Sequence, residues 1–298
     1  MKLSILIPNY NGETILPVFL PSVLRAFEAY TGDKELIIVD DCSKDQSMSV
    51  LHNLCGTRAR IEKNPQNLGF SGTCNRAASL STGDILFFLN TDVELPETFF
   101  STFHEYFSRT DTFAVTIHGI QYRTRENLDG VKMGEWKRGS LRVTKNKYPE
   151  KFVMWEPSFM VQGAYFFVDR KKFEALGGFD ERFNPFIFEE TDLCYRALKR
   201  GWKIYFDGRA KGFHDHSTTL KSVASQKRLN FFSHRNRFLF IWKNISDPWL
   251  LASHVLFTLF RLPSVYSPLM AALKMWPSIR ESRRLERIYW VKQDRELF

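Results

Sequence analysis

The sequence predicts an α/β fold, a mixed and mostly parallel sheet with helices on both faces, followed by a basic helical C-terminal region. Three observations predict it. Short apolar runs alternate with segments that carry apolar residues at helical spacing, the pattern of strands buried on both faces and joined by crossover helices. Those runs end in Asn and Asp, the residues of turns and caps. The charge is lopsided: residues 221–298 hold 14 Lys and Arg against 5 Asp and Glu, so the whole net charge of +9 lies there.

The elements follow in order. Residues 3–7 are an apolar strand stopped by Pro8-Asn9-Tyr10-Asn11-Gly12. Residues 15–30 repeat Leu16, Phe19, Leu20, Val23, Leu24 and Phe27 with helical period. Residues 36–39 form a buried strand ending in Asp40-Asp41, and residues 45–54 a helix. Ile61 opens a short strand, 64–67 is a loop, and 70–80 is a helix closed by Gly83. Residues 85–89 are a third apolar strand, ending in Asn90-Thr91-Asp92. Farther on, Leu193 with Ala197, and Cys194 with Leu198, place a helix from about residue 190 to Arg200, stopped at Gly201. The 28 Phe residues suit a sizeable core.

Composition narrows the function classes. Hydrophobic residues at 44% and charged residues at 25% describe an ordinary globular chain. Cys42, Cys55, Cys74 and Cys194 form no CxxC pair and no zinc spacing, which reads as a reduced, cytosol-facing protein. The apolar start is too short for a signal peptide, and the longest apolar stretch, residues 249–260, is shorter than the roughly 20 residues a span needs. No GxGxxG, GxxxxGK[ST], HExxH or GxSxG is present, which disfavours dinucleotide cofactors, P-loop chemistry, zinc proteolysis and the hydrolase elbow.

Three successive strands deliver polar side chains at their carboxyl ends: Asn9 and Tyr10, Asp40 and Asp41, Asn90 and Asp92. In open α/β sheets ligands bind outside those ends, so the three loops are expected to line one crevice. Each alone is what a turn or cap uses; all three together favour a site. Asp92 is a hard-oxygen ligand suited to Mg²⁺ or Mn²⁺ beside ligand phosphates.

Four segments, Ser4-Ile5-Leu6-Ile7-Pro8-Asn9-Tyr10-Asn11, Ile38-Val39-Asp40-Asp41-Cys42-Ser43-Lys44-Asp45, Asn67-Leu68-Gly69-Phe70-Ser71 and Leu89-Asn90-Thr91-Asp92, resemble in order and spacing the motifs of family-2 glycosyltransferases. Gly177-Gly178-Phe179-Asp180 through Phe188-Glu189-Glu190-Thr191-Asp192-Leu193-Cys194-Tyr195-Arg196 resembles the family's acceptor-side region, so the likeness covers roughly residues 3–245. It implies a GT-A type, Rossmann-like catalytic domain over 1–220, with a nucleotide-sugar half at about 1–95, an acceptor half at about 96–220, and the basic helical region 221–298. It also implies an inverting transferase moving a sugar from a nucleotide-sugar donor to a saccharide or polyprenyl-linked glycan acceptor in cell-surface polysaccharide synthesis.

Carried over residue by residue, the resemblance makes Asp40 the acid that contacts base or ribose. Asp41, Pro8, Tyr10, Asn67, Gly69, Asn90 and Thr91 line the same pocket. Asp92 matches the last acid of the Asp-x-Asp metal motif; Asn90 stands at its first position, as in the rhamnosyltransferase-like branch, leaving one carboxylate on a Mn or Mg ion. His214, with His216 as the alternative, matches the late metal- or diphosphate-binding histidine. Acids in a first helical turn suit the helix dipole in any protein. Displacement at an anomeric carbon also requires a base for the acceptor hydroxyl. The family's base position falls on Glu190, one methylene longer than its Asp, with Asp192 second and Glu189 third.

Two regions lie outside these motifs. Residues 120–160, with Tyr122, Arg123, Arg125, Lys132, Trp136, Lys137 and Trp155, show no clear periodicity and read as a loop closing over the donor or a solvated insertion. In the C-terminal region Arg228, Phe231, Phe232, Arg235, Asn236, Arg237, Phe238, Phe240, Ile241, Trp242 and Lys243 interleave cations with aromatics. Helical stretches at 249–262 and 269–276 follow, then Arg280, Arg283, Arg284 and Arg287. Such helices suit an anionic membrane surface, peripherally at the inner face, or pack on the catalytic domain. No nucleic-acid module is visible. The rival reading is a non-catalytic nucleotide-sugar-binding or membrane-scaffold relative.

Overall fold

A computed structural model describes residues 1–149, 151–215 and 225–298. The first half runs β1 (Leu3–Asn9), α1 (Leu16–Ala29), β2 (Lys34–Asp40), α2 (Ser47–Cys55), β3 (Arg60–Lys63), α3 (Gly69–Leu80), β4 (Ile85–Leu89), β5 (Val93–Glu94) and α4 (Phe103–Tyr106). Then come β6 (Thr112–Gln121), β7 (Asn127–Asp129), β8 (Val131–Lys137), β9 (Ser140–Lys147), β10 (Glu156–Pro157), β11 (Tyr165–Asp169), α5 (Arg170–Ala175), α6 (Glu189–Lys199) and β12 (Lys203–His214). Four helices close the chain: α7 (Gln226–Asn244), α8 (Pro248–Phe260), α9 (Leu262–Lys274) and α10 (Trp276–Arg287).

The main sheet has the order β10-β12-β6-β11-β4-β1-β2-β3, with β5 added to β12 and β7 to β6. β1 runs parallel to β2 and β4, with Asn9 level with Asp40. β11 is antiparallel to both β4 and β6, while β12 is parallel to β6. The C-terminal ends of β1, β2, β4 and β12 therefore share one edge of the sheet, as does the N-terminal end of β11. That edge carries Asn9, Asp40, Asn90, His214 and the Gly163-Ala164 pair.

Period-2 alternation divides the strand side chains between two layers. Leu3, Ile5, Ile7, Leu36, Ile38 and Phe87 face α1 and α2; Leu6, Ile37, Val39 and Phe88 face α3, α5 and α6. The phenylalanines follow this split. Phe87 packs on Phe167 with ring centroids 4.3 Å apart, and Phe88 stacks on Phe166 at 5.1 Å. Each fully buried Phe contributes roughly 1.5–3 kcal/mol.

A third core joins the end of the chain to its middle. Leu141, Phe159, Phe183 and Tyr195 pack with Phe238, Leu239, Phe240, Ile241, Ile245, Val265, Ala272 and Ile279. Two expectations change here. Residues 120–160 contain the β8-β9 hairpin, docked on α8: Trp136 Nε1 donates to Ser253 Oγ at 2.8 Å, and His254 Nδ1 lies 2.9 Å from the Gly139 carbonyl. Its alternation is hidden by Gly134, whose Cα sits against the Phe159 ring. The stretches expected at 249–262 and 269–276 are α8 and α9, with proline in the first turn of each, where its missing N–H costs nothing. Among the described residues no helix is long and apolar enough to cross a membrane.

Candidate active site

The two ends of β1 and β2 are tied together. Asn9 Nδ2 donates to Asp40 Oδ2 at 2.8 Å, and Ser43 donates to Asp40 from its backbone N at 2.9 Å and its hydroxyl at 2.5 Å. Asp41 accepts from Leu68 N at 2.7 Å, Gly69 N at 2.9 Å and Asn64 Nδ2 at 2.7 Å. Both aspartates are buried. Their carboxylates tie together the loops that follow β1, β2 and β3, and Asp40 Oδ1, which accepts from one donor, keeps a lone pair. Access belongs to Tyr10, 42% exposed, to the exposed Asn67, and to the half-buried Pro8, Gly69, Asn90 and Thr91. Gly69 takes φ +72°, and Asn184 lies against its Cα while donating to the Leu68 carbonyl at 2.9 Å.

The β4 end leads directly to β12. Asn90 N donates to the Ala164 carbonyl at 2.8 Å, and β5 then pairs with β12 so that Val93 opposes His214. This pairing brings Asp92 Oδ1 within 3.3 Å of His214 Nε2, both residues buried. The His214 ring stands edge-on to Tyr165, whose hydroxyl donates to Asp129 at 2.9 Å. Next to His214, Asp215 is held by Arg123 at 2.8 Å. A carboxylate oxygen and an imidazole nitrogen side by side fit Mn²⁺ or Mg²⁺ when phosphate oxygens and water complete the shell. His216 lies outside the described residues.

The three acids of α6 go to different places. Glu190 is half-buried and rests on Gly163: a Cβ there would lie 2.0 Å from Glu190 Oε1. Gly163 adjoins Ala164, the acceptor for Asn90, so Glu190 and the Asp92 loop meet on one short segment. Burial pushes the Glu190 carboxyl up to about 7. Glu189 is buried, its Oε2 without a hydrogen-bond partner, and burial together with Glu190 raises its carboxyl well above the usual range. Asp192 departs from its expected catalytic place. It has no exposure, and Arg196 Nε at 2.7 Å, Lys243 Nζ at 2.8 Å and Asn244 Nδ2 at 2.8 Å occupy its oxygens. A carboxylate so enclosed anchors α6 to α7 and cannot reach an acceptor hydroxyl.

The turn entering α6 is strained. Ile187 and Phe188 take φ of +74° and +85°, a region that costs about 1–3 kcal/mol for such residues and persists where surroundings impose it. Here Asn236 imposes it, its Nδ2 lying 2.7 Å from the Phe183 carbonyl, 3.0 Å from that of Phe186 and 2.7 Å from that of Ile187. Arg235 adds a bond to the Asn184 carbonyl at 2.5 Å, and Lys243 bridges Asp180 and Asp192. Arg235, Asn236 and Lys243, in a region expected either at a membrane surface or packed on the catalytic domain, therefore turn inward and support the site. No motif points to Gly163, and Asn236 is legible in the sequence only as part of the cation-aromatic run of α7. A neutral amide amid the aromatic and basic residues of α7 was the available signal.

Residues 4–177 match the family model for glycosyl transferase family 2. The chain is 26% identical over 223 residues to the O-antigen chain rhamnosyltransferase RfbN of Salmonella typhimurium, covering 74% of this chain and 68% of that one. A 50-residue stretch is 46% identical to the undecaprenyl-phosphate 4-deoxy-4-formamido-L-arabinose transferase of Photorhabdus laumondii, covering 17% of this chain and 15% of that protein. The structure of GalNAc-T7 with UDP, GalNAc and Mn²⁺ superposes over 95% of this chain and 55% of that one, with a TM-score of 0.67 at 17% identity. With a GT-A fold and a family match across most of its sheet, the chain belongs to glycosyl transferase family 2.

Proposed function

We propose that this chain is an inverting transferase, moving a sugar from a nucleotide-sugar donor to a saccharide or polyprenyl-linked glycan acceptor in cell-surface polysaccharide synthesis. The observation that carries it is Glu190, a carboxyl with a pKa of about 7 seated on the segment that also receives the Asn90–Asp92 loop. A base with that pKa is half ionised near neutrality, where it can take the acceptor hydroxyl's proton as the bond to the anomeric carbon forms. Burial and the neighbouring Glu190 raise the Glu189 carboxyl, which favours its neutral form, so the reading assigns the reaction to one carboxylate and requires no second as a nucleophile.

On the donor side, Pro8, Tyr10, Asn67, Gly69, Asn90 and Thr91 line the nucleotide-sugar pocket, with Asp40 and Asp41 behind them. Asp92 and His214 would hold a Mn or Mg ion, which when bound neutralises charge on the departing diphosphate. The Mn²⁺ and UDP of GalNAc-T7 and the names of the two sequence relatives support this reading. The location that goes with it is the cytoplasmic face of a membrane, reached peripherally through residues 221–298, with no nucleic-acid partner. Asn90 in place of the motif's first acid favours the second reading, a non-catalytic nucleotide-sugar-binding or scaffold relative.

Thermal stabilisation by a panel of nucleotide sugars, each with and without Mn²⁺, separates the two. A ligand at 100 times its Kd adds about 2.7 kcal/mol. A shift with one nucleoside diphosphate sugar that grows with Mn²⁺, joined by transfer to a glycan acceptor, is expected; binding without transfer would leave the scaffold.

A further inference from the structure

A cluster of cations gathers where the C-terminal helices meet the β8-β9 hairpin. A recess between the β8-β9 hairpin, α7, α8 and the α8–α9 junction is lined by Arg138, His234, Arg237, His254, Phe257 and Arg261. Arg142 stands close enough to act on Arg237 as well. Among the described residues, Arg138, Arg142, Arg237 and Arg261 form no ion pair, and the buried Arg237 Nε has no hydrogen-bond acceptor. Burial and mutual repulsion push Arg237 and His234 below their usual ranges. Glu135 stands opposite Arg142 across the hairpin, but no acid lines the recess itself; like charges gathered there are unfavourable unless an anion completes the set, and guanidinium forks match phosphate oxygens in pairs.

The second observation is the helix beside the recess. α8 contains no Asp, Glu, Lys or Arg, yet Trp249, Val255, Leu256, Leu259 and Phe260 are all more than half exposed. Surface helices of soluble domains carry polar residues on the outer face; this one is apolar there too. At 13 residues it is about 20 Å long, enough to lie in a bilayer interface. Arg261 ends α8 and lines the recess, so the cations sit at the border of the apolar face.

We propose that this recess binds the phosphate of an anionic phospholipid headgroup while the outer face of α8 enters the acyl boundary of the same bilayer. The proposal rests on the peripheral membrane association advanced above and gives it a site. The shared chemistry is a phosphate ester, and the assignment to a lipid rather than a soluble phosphate follows from α8.

The test is co-sedimentation of the full chain with phosphatidylcholine vesicles, with and without phosphatidylglycerol. The wild type is expected to prefer the anionic vesicles, and Arg237→Gln with Arg261→Gln to lose that preference by about tenfold or more. Arg284→Gln with Arg287→Gln, the same charge removed outside the recess, should lose no more than about threefold. Equal losses in the two pairs would reduce the effect to general charge and overturn the site. Trp249→Ser with Phe260→Ser should weaken binding to both vesicles; unchanged binding would overturn the role of α8. Stabilisation by inorganic phosphate, absent in the Arg237 and Arg261 variant, without vesicle binding would reassign the recess to a soluble phosphate and overturn the lipid assignment. Arg261→Gln alone, at an exposed position, replaces the pair if the double variant unfolds. Nucleotide-sugar stabilisation should be equal in every variant, so a failure here is distinct from a failure of the transferase reading.

Discussion

Replacing Glu190 by Gln should remove catalysis and stabilise the protein at the same time. Raising a carboxyl from its ordinary 4.5 to about 7 means the charged form is disfavoured in the folded state. At ~1.4 kcal/mol per tenfold this is about 3 kcal/mol, and the partial exposure of the side chain reduces it to about 2 kcal/mol. The sign follows from proton counting. Between pH 4.5 and about 7 the folded chain keeps a proton that the unfolded chain has released, so this group's contribution falls as pH rises through that window and is flat above it. Gln carries no charge and avoids the loss. Glu190→Gln should therefore melt about 3–6 °C higher than wild type at pH 8 and close to it at pH 4.5. Its kcat should fall roughly 10²- to 10⁴-fold, the usual share of a general base. The wild-type kcat should decline below pH 7 with unit slope, and that limb should vanish in the variant. Melting curves at the two pH values and steady-state transfer assays test both halves. Activity within about threefold of wild type would refute the base assignment. A lower melting point at pH 8 would show that the carboxylate serves the fold instead.

Three further outcomes are expected. Gly163→Ala places a methyl where the Glu190 carboxylate now lies, and this flexible end can swing away; kcat should drop by about 10²-fold with little change in Tm, measured by paired kinetics and melting. Asn236→Ala removes the amide whose bonds to the turn's carbonyls hold Ile187 and Phe188 at positive φ; relaxation of that turn should lower kcat, with a stability loss of about 1–3 kcal/mol in urea unfolding, and an unchanged kcat would show that the strain does not aim Glu190. Asp92→Asn should abolish the Mn²⁺-dependent part of nucleotide-sugar stabilisation while leaving the metal-free part, read by thermal shift; an intact Mn²⁺ increment would remove Asp92 from the metal.

The sequence by itself determined the layers and the edge on which the site is built. Ile85–Leu89 is apolar throughout, and Leu3–Asn9 nearly so apart from Ser4 and its last residue, because both faces are covered, and the endings in Asn9, Asp40 and Asn90 are local facts of composition. The acids of α6 were legible as a group for the same reason. Their separate fates were not. Glu190 and Asp192 are two residues apart, which on a helix turns them to different sides: one meets a glycine Cα, the other Arg196 and Lys243. That division depends on what packs against α6, and its partners come from about 30 residues earlier and 50 later. The basic C-terminal region shows the limit most clearly. A list of cations and aromatics cannot tell Lys243, buried between two aspartates, from Arg261, exposed beside an apolar helix, because burial is a property of the assembled third core. Local periodicity specifies which elements form; only long-range packing decides which charges are held inside, which are left over, and therefore which are free to meet a ligand.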